Sequence, residues 1–193
     1  MLLSARFSEA FVLAASLHRA QVRKGPQSVP YISHLLAVSA IVLEYGGSEN
    51  EAIAALLHDA VEDQGGAATL AAIRHMFGPE VAAIVEGCSD TDVEPKPPWR
   101  DRKERHIAHL REAAPPVLMV TAADKLANAR SILADYREMG DELWLRFNCT
   151  REQSLWYYRT VLRMLETRPA PRRLVAELGR VLAEIEDAVA NRS

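Results

Sequence analysis

Along most of this chain apolar residues recur at spacings of three and four, the pattern of one face of an α-helix. Ser8 opens the first predicted helix, which runs to about Val22. The stretch Lys24-Gly-Pro-Gln-Ser-Val-Pro30 then breaks it, because glycine and proline oppose helix. A second helix is predicted from near Ser33 to the pair Gly46-Gly47, a common C-terminal signal. Ser48 and Glu51 fit a capping box for a third, which carries the run up to Asp63. A fourth begins near Thr69 and ends at Phe77-Gly78, and Pro79 is well placed to start a fifth. Ser89 to Trp99, with three prolines, reads as a loop. Further helices are predicted from Arg100 to before Pro115, from Val117 past Arg130, from a cap at Thr150 and Gln153, and from Pro171 to Ala190. No run shows strand alternation between hairpin turns. The expected class is all-α.

The third helix holds the most informative polar face. His58-Asp59 is followed one turn later by Glu62-Asp63, while Leu56, Leu57, Ala60 and Val61 take the opposite arc. Asp59 with Glu62 and Asp63 makes like-charge pairs, which destabilise an isolated helix by a few tenths of a kcal/mol. A bound cation would convert that repulsion into ligation. Carboxylate with imidazole is a donor set for a divalent metal. His34 and Asp124 carry the same donor types on other predicted helices. Two imidazoles and two carboxylates suit Mn²⁺, Fe²⁺ or Zn²⁺ better than Ca²⁺, which takes oxygen alone. A His-Asp dipeptide by itself is weak evidence, and a lone histidine such as His34 is commonly just hydrogen-bonded.

Composition narrows the setting. The chain has 193 residues, 49% hydrophobic and 25% charged, with a formal net charge of −3. That is an ordinary globular balance, with no sign of a nucleic-acid surface. No segment is long and apolar enough to span a bilayer, and the N-terminus lacks the features of a signal peptide. Cys88 and Cys149 form no CxxC pair, so a reduced, cytoplasmic protein is expected, without nucleic-acid or membrane partners.

The segments His18-Arg-Ala-Gln-Val-Arg-Lys24, Pro30-Tyr-Ile-Ser-His34, Ala55-Leu-Leu-His-Asp-Ala-Val-Glu-Asp63, Phe77-Gly78 and Ala123-Asp-Lys-Leu-Ala-Asn-Ala-Arg130 occur in that order. Together they resemble the HD-domain phosphohydrolases. More narrowly, they are similar to the hydrolase domain of the RelA/SpoT alarmone enzymes in its free-standing, small alarmone hydrolase form. The resemblance covers roughly residues 5 to 165, with 169–193 as a C-terminal helical extension of one HD-type domain spanning 1–193.

The resemblance implies a single HD-domain helical bundle. It implies one Mn²⁺ per chain, with Fe²⁺ or Zn²⁺ as alternatives, held by His34, His58, Asp59 and Asp124. The implied reaction removes the 3′-pyrophosphate of guanosine tetra- or pentaphosphate, giving GDP or GTP. Glu62 and Asp63 match the pair that activates water and handles protons. Asn128 and Ser131, four and seven residues beyond Asp124, match nucleotide contacts. Arg23 and Lys24 match a basic pair beside base and phosphate. Of the basic cluster Lys96, Arg100, Arg102, Lys103 and Arg105, some are expected to neutralise charge at the pocket mouth, Lys103 being the one chosen from its place in the family segment, and more than half to decorate a solvated helix. Tyr157 is expected to wall the base, and Tyr158 to lie in the core with Leu155, Leu162 and Leu165. His18 is read as structural, and His75, His106 and His109 as surface groups.

Two positions depart from the long alarmone enzymes. Ala127 stands where histidine is frequent, and Gln64 where threonine is usual. Both bear on substrate preference rather than on metal binding. The chain has no room for the synthetase domain of those enzymes, so hydrolysis without synthesis is expected. Two other functions compete: an HD phosphohydrolase for another nucleotide, such as an adenosine alarmone or an NADPH-like dinucleotide, and a non-catalytic helical binding module. Intact ligand and acidic positions argue against the last.

Overall fold

The computed structural model describes residues 2–25, 28–89 and 97–191. In chain order the helices are α1 (Ala5–Leu17), α2 (Ile32–Glu44), α3 (Glu49–Leu57), α4 (Ala60–Asp63) and α5 (Gly66–Cys88). They continue with α6 (Trp99–Leu110), α7 (Pro115–Met139), a 3-10 segment (Gly140–Arg146), α8 (Arg151–Glu166) and α9 (Arg172–Ala190). Among the described residues there is no strand, only an isolated antiparallel bridge between Val22 and Pro30. The all-α expectation is met.

Helix α7 is the central post. It packs against α2, α3, α5 and α9, and Val117 to Asp124 are buried without interruption. A helix apolar all round must sit inside. Gly87 lets α5 approach it closely: a Cβ there would lie 2.6 Å from Val117 Cγ2. α9 lays Leu174, Leu178, Val181 and Ile185 into the interior, packs on α7 and α8, and ties its rim to α7 through Arg130–Glu177 and Arg137–Glu184 ion pairs.

Both predicted capping boxes form, Ser48 with Glu51 and Thr150 with Gln153. The predicted fourth and fifth helices run end to end as α5, kinked at Gly78, whose φ of 90° and ψ of 170° favour glycine. Two of the predicted helices differ from the sequence reading. α1 starts earlier than Ser8, because the Ser4 side chain caps it by accepting from the Arg6 amide. It also stops at Leu17. The chain beyond forms a clasp instead, with Arg23 N donating to Val29 O at 2.8 Å and Tyr31 N to Gln21 O at 2.9 Å. The third predicted helix is the other correction. It is interrupted at His58-Asp59, where Asp59 adopts φ −94° and ψ −3° before α4 begins.

Candidate active site

That interruption builds the site. His58 and Asp59 lie in the turn between α3 and α4, His34 on the first turn of α2, and Asp124 midway along α7. His34, His58 and Asp124 are almost wholly buried. His58 Nδ1 lies 2.8 Å from the Ala55 carbonyl oxygen. With one proton donated there, Nε2 is the nitrogen left to face the carboxylates, and in the neutral ring it carries the lone pair a metal would take.

The donor atoms converge. His58 Nε2 is 3.1 Å from Asp59 Oδ2 and 3.8 Å from Asp124 Oδ1. His34 Nε2 is 3.2 Å from Asp124 Oδ1 and 3.7 Å from Asp59 Oδ2. Ligand atoms of His34, His58 and Asp59 all lie within 4.8 Å of one another, and Asp124 joins through both imidazoles.

Electrostatics favour a positive charge here. Burial works against an imidazolium, yet Asp59 and Asp124 outweigh it and hold His58 up to about 9. Burial would raise both carboxyls, but His58 holds Asp59 below the usual carboxylate range. Lys125 and His34 do the same for Asp124. In the absence of metal, a proton on the imidazole thus supplies the charge that a divalent cation would bring. The donor set, the inward-facing Nε2 and this charge demand all fit a divalent metal.

Neighbouring groups hold the ligands in place. The Tyr31 hydroxyl donates to Asp59 Oδ2 at 2.6 Å, and His18 stacks on the Tyr31 ring with centroids 5.3 Å apart. Burial and the Asp59 carboxylate push the phenol well above its ordinary pKa, so it stays a donor. Lys125 Nζ lies 2.6 Å from Asp124 Oδ2. Burial opposes that charge, but Asp124 holds the ammonium well above its usual range. His18 is buried, as a structural residue should be.

The structure separates the two expected acid–base residues. Glu62 lines the cavity of about 160 Å³ that also holds His34, His58, Asp59 and Asp124. Asp63 is exposed. It lines the outer mouth beside Glu62 and accepts from Gln21 Nε2 at 2.8 Å. Gln64, one of the departures, donates to Gln21 Oε1 at 2.7 Å and so supports the same network.

A cleft of about 380 Å³ adjoins the metal cavity. Arg23, Lys24, Lys103, Asn128, Ser131 and Tyr157, the expected substrate residues, all line it. Tyr31, His34 and Lys125 border both spaces. The Arg23 guanidinium donates to Asn128 Oδ1 and Ser131 Oγ, each at 3.3 Å, fastening the clasp to α7. Ala127 lines a side cavity of about 270 Å³ together with Arg23, His34 and Ser131.

Some expectations need correction. His106 is buried, not a surface group, and lines the metal cavity. It follows Lys103 by three residues, so one face of α6 carries both to the site. His75 and His109 are exposed, as expected. Tyr158 is partly buried: it packs against the core, as expected, and also lines the cleft. Tyr157 is the more buried of the two and reaches the metal cavity. Arg100 pairs with Glu104 and stacks over Trp156 at 3.3 Å. Arg105 is exposed, whereas Arg102 lines the mouth. Lys96 lies outside the described residues. Tyr31, Lys125 and Arg146 also border the cleft without having been singled out. Tyr31 and Lys125 sit inside quoted motifs, a signal that was available. Arg146, paired with Asp135 at 2.9 Å, has no sequence pattern pointing to it.

Comparison with known proteins identifies the family. A family profile described as HD domain matches residues 10–144. The Xenopus tropicalis guanosine-3′,5′-bis(diphosphate) 3′-pyrophosphohydrolase MESH1 is 39% identical over 126 residues, covering 64% of this chain and 68% of that protein. The Homo sapiens MESH1 is 36% identical over 131 residues, covering 67% and 70%. The Escherichia coli bifunctional (p)ppGpp synthase/hydrolase SpoT is 33% identical over 133 residues, which are 66% of this chain but 18% of SpoT. Among solved structures, a metazoan ortholog of SpoT described as hydrolysing ppGpp superposes with a TM-score of 0.79 at 28% identity, covering 95% of this chain and 97% of that one. The chain belongs to the HD-domain family, with hydrolases of the MESH1 and SpoT type among its relatives.

Proposed function

We propose that this chain is a Mn²⁺-dependent hydrolase that removes the 3′-pyrophosphate of guanosine tetra- or pentaphosphate, giving GDP or GTP. The observation that carries the proposal is the adjacency of two spaces: the cavity that holds His34, His58, Asp59 and Asp124 shares walls with a cleft lined by every expected substrate residue. The names of the MESH1 and SpoT relatives point to the same reaction.

A divalent ion held by His34, His58, Asp59 and Asp124 would polarise a phosphoryl oxygen and make water more acidic. The chain's own groups do the rest. Glu62, inside the metal cavity, takes the proton from the attacking water. The water oxygen bonds to the phosphorus attached to the ribose 3′ oxygen, that P–O bond breaks, and the 3′ oxygen regains a proton. Asp63, at the mouth and held by Gln21, exchanges protons further out. Arg23 is pre-oriented by Asn128 and Ser131, and its flat guanidinium suits a base face or a phosphate fork. Lys24 and Lys103 neutralise phosphate charge. Two free cysteines fit action on a free nucleotide in the cytoplasm, and no described helix is long and apolar enough to cross a membrane.

A second reading rests on Ala127, whose small side chain borders the side cavity next to Arg23. It leaves room for a different base or for a dinucleotide. A nucleotide panel with the Mn²⁺-loaded protein separates the two. Pyrophosphate released from guanosine tetraphosphate in preference to other nucleotides supports the first. Faster turnover of an adenosine nucleotide or dinucleotide, or release of orthophosphate, overturns it.

A further inference from the structure

Tyr157 is 6% exposed, and its buried hydroxyl has no hydrogen-bond partner. It lines both the metal cavity and the cleft. A base-stacking role does not fit, because the ring is already surrounded. Lys103 Nζ lies 5.0 Å and Lys125 Nζ 5.4 Å from its centroid, and Trp99 and Tyr158 meet it edge-on at 6.2 and 6.0 Å. Ammonium groups only donate hydrogen bonds. The phenol therefore sits beside two cationic donors and has no protein acceptor. What this corner lacks is an anion with several acceptor oxygens.

Resting on the proposed reaction, we infer that the Tyr157 hydroxyl donates a hydrogen bond to a non-bridging oxygen of the substrate diphosphate, completing a cradle with Lys103 and Lys125. Lys103 comes from α6, Lys125 from α7 and Tyr157 from α8, so three elements meet on one phosphoryl group. Lys125 keeps donors to spare beyond its bond to Asp124. A diphosphate fits such a cradle better than a neutral ligand, since hydrogen bonds to charged acceptors are the stronger kind.

The test is Tyr157→Phe in the Mn²⁺-loaded protein, probed with inorganic pyrophosphate by calorimetry and with guanosine tetraphosphate by turnover. Losing one hydrogen bond to a charged group predicts pyrophosphate binding weaker by about tenfold or more. Metal content should be unchanged. Thermal stability should be equal or higher, because the hydroxyl removed has no protein partner. A purely structural tyrosine would not lose affinity while keeping stability. Equal pyrophosphate affinity in both proteins overturns the inference, as does a wild type that does not bind pyrophosphate or a variant whose melting temperature falls in step with binding. Weaker pyrophosphate binding by the variant, with a wild type that spares guanosine tetraphosphate, keeps the cradle and rejects the guanosine substrate.

Discussion

The Asp59 carboxylate serves two neighbours at once, facing the His58 imidazole at 3.1 Å and accepting the Tyr31 hydroxyl at 2.6 Å. Removing the ligand itself, by Asp59→Ala or His58→Ala, should abolish bound metal and activity together. Tyr31→Phe should keep the fold but weaken metal binding by about 10–100-fold, the usual cost of losing a group that orients a ligand. Metal titration of the purified variant checks this, and an unchanged affinity would show that the phenol does not orient Asp59. Glu62→Gln should retain metal yet lose roughly 10²–10⁴ in turnover, the range for a general base. Normal hydrolysis by that variant would remove Glu62 from the mechanism. Cys88 offers an independent check on the electrostatics. Burial and the nearby Asp124 charge push its thiol up to about 12. The thiolate is therefore scarce at any pH well below that value. In metal-free folded protein at pH 8, Cys88 should resist iodoacetamide and become reactive only on unfolding, as mass spectrometry would show. His34, His58, Asp59 and Asp124 were legible because linked motifs name them. His106 was not, since only folding brings α6 over the metal cavity.

At the scale of elements, local chemistry that acts within one turn was readable and the break in one helix was not. Ser48 with Glu51 and Thr150 with Gln153 form the boxes their spacing predicts. The interruption after Leu57 escaped notice because Leu56, Leu57, Ala60 and Val61 keep an apolar face across it. Periodicity reports a face, not the ψ of a single residue such as Asp59. The end of α1 was missed for a similar reason. Gln21 pairs with Tyr31 and Arg23 with Val29 in a clasp that only the folded chain provides. Packing of α5 on α7 gives a prediction at this scale. A Cβ at position 87 would meet the Val117 side chain at 2.6 and 3.1 Å. Gly87→Ala should therefore destabilise by about 1–3 kcal/mol through overpacking. Urea unfolding measures it, and an unchanged midpoint would mean that the two helices separate freely.

Over the whole molecule, α7 links the site to the C-terminal helix. Its inner length carries Asp124 and Asn128, and α9 packs along it outside the motif region. Leu178 is fully buried in that contact. Leu178→Ala should cost about 2–5 kcal/mol, as buried large-to-small changes do. Unfolding monitored by two probes should remain a single transition if α9 shares the cooperative unit, and two transitions would separate it. The motif resemblance assigned the metal-ligand candidates, the two acidic residues and the basic residues to one pocket, and the folded chain lines a cavity and an adjoining cleft with all of them except Asp63, which stays at the outer mouth. The central claim is that this site performs metal-dependent removal of a 3′-pyrophosphate. Its most direct test is to strip the protein of metal, add guanosine tetraphosphate with and without Mn²⁺, and follow GDP and pyrophosphate. The account predicts that both products form together only with Mn²⁺. Turnover that ignores Mn²⁺, or a Mn²⁺-loaded protein that leaves the nucleotide intact, would contradict it.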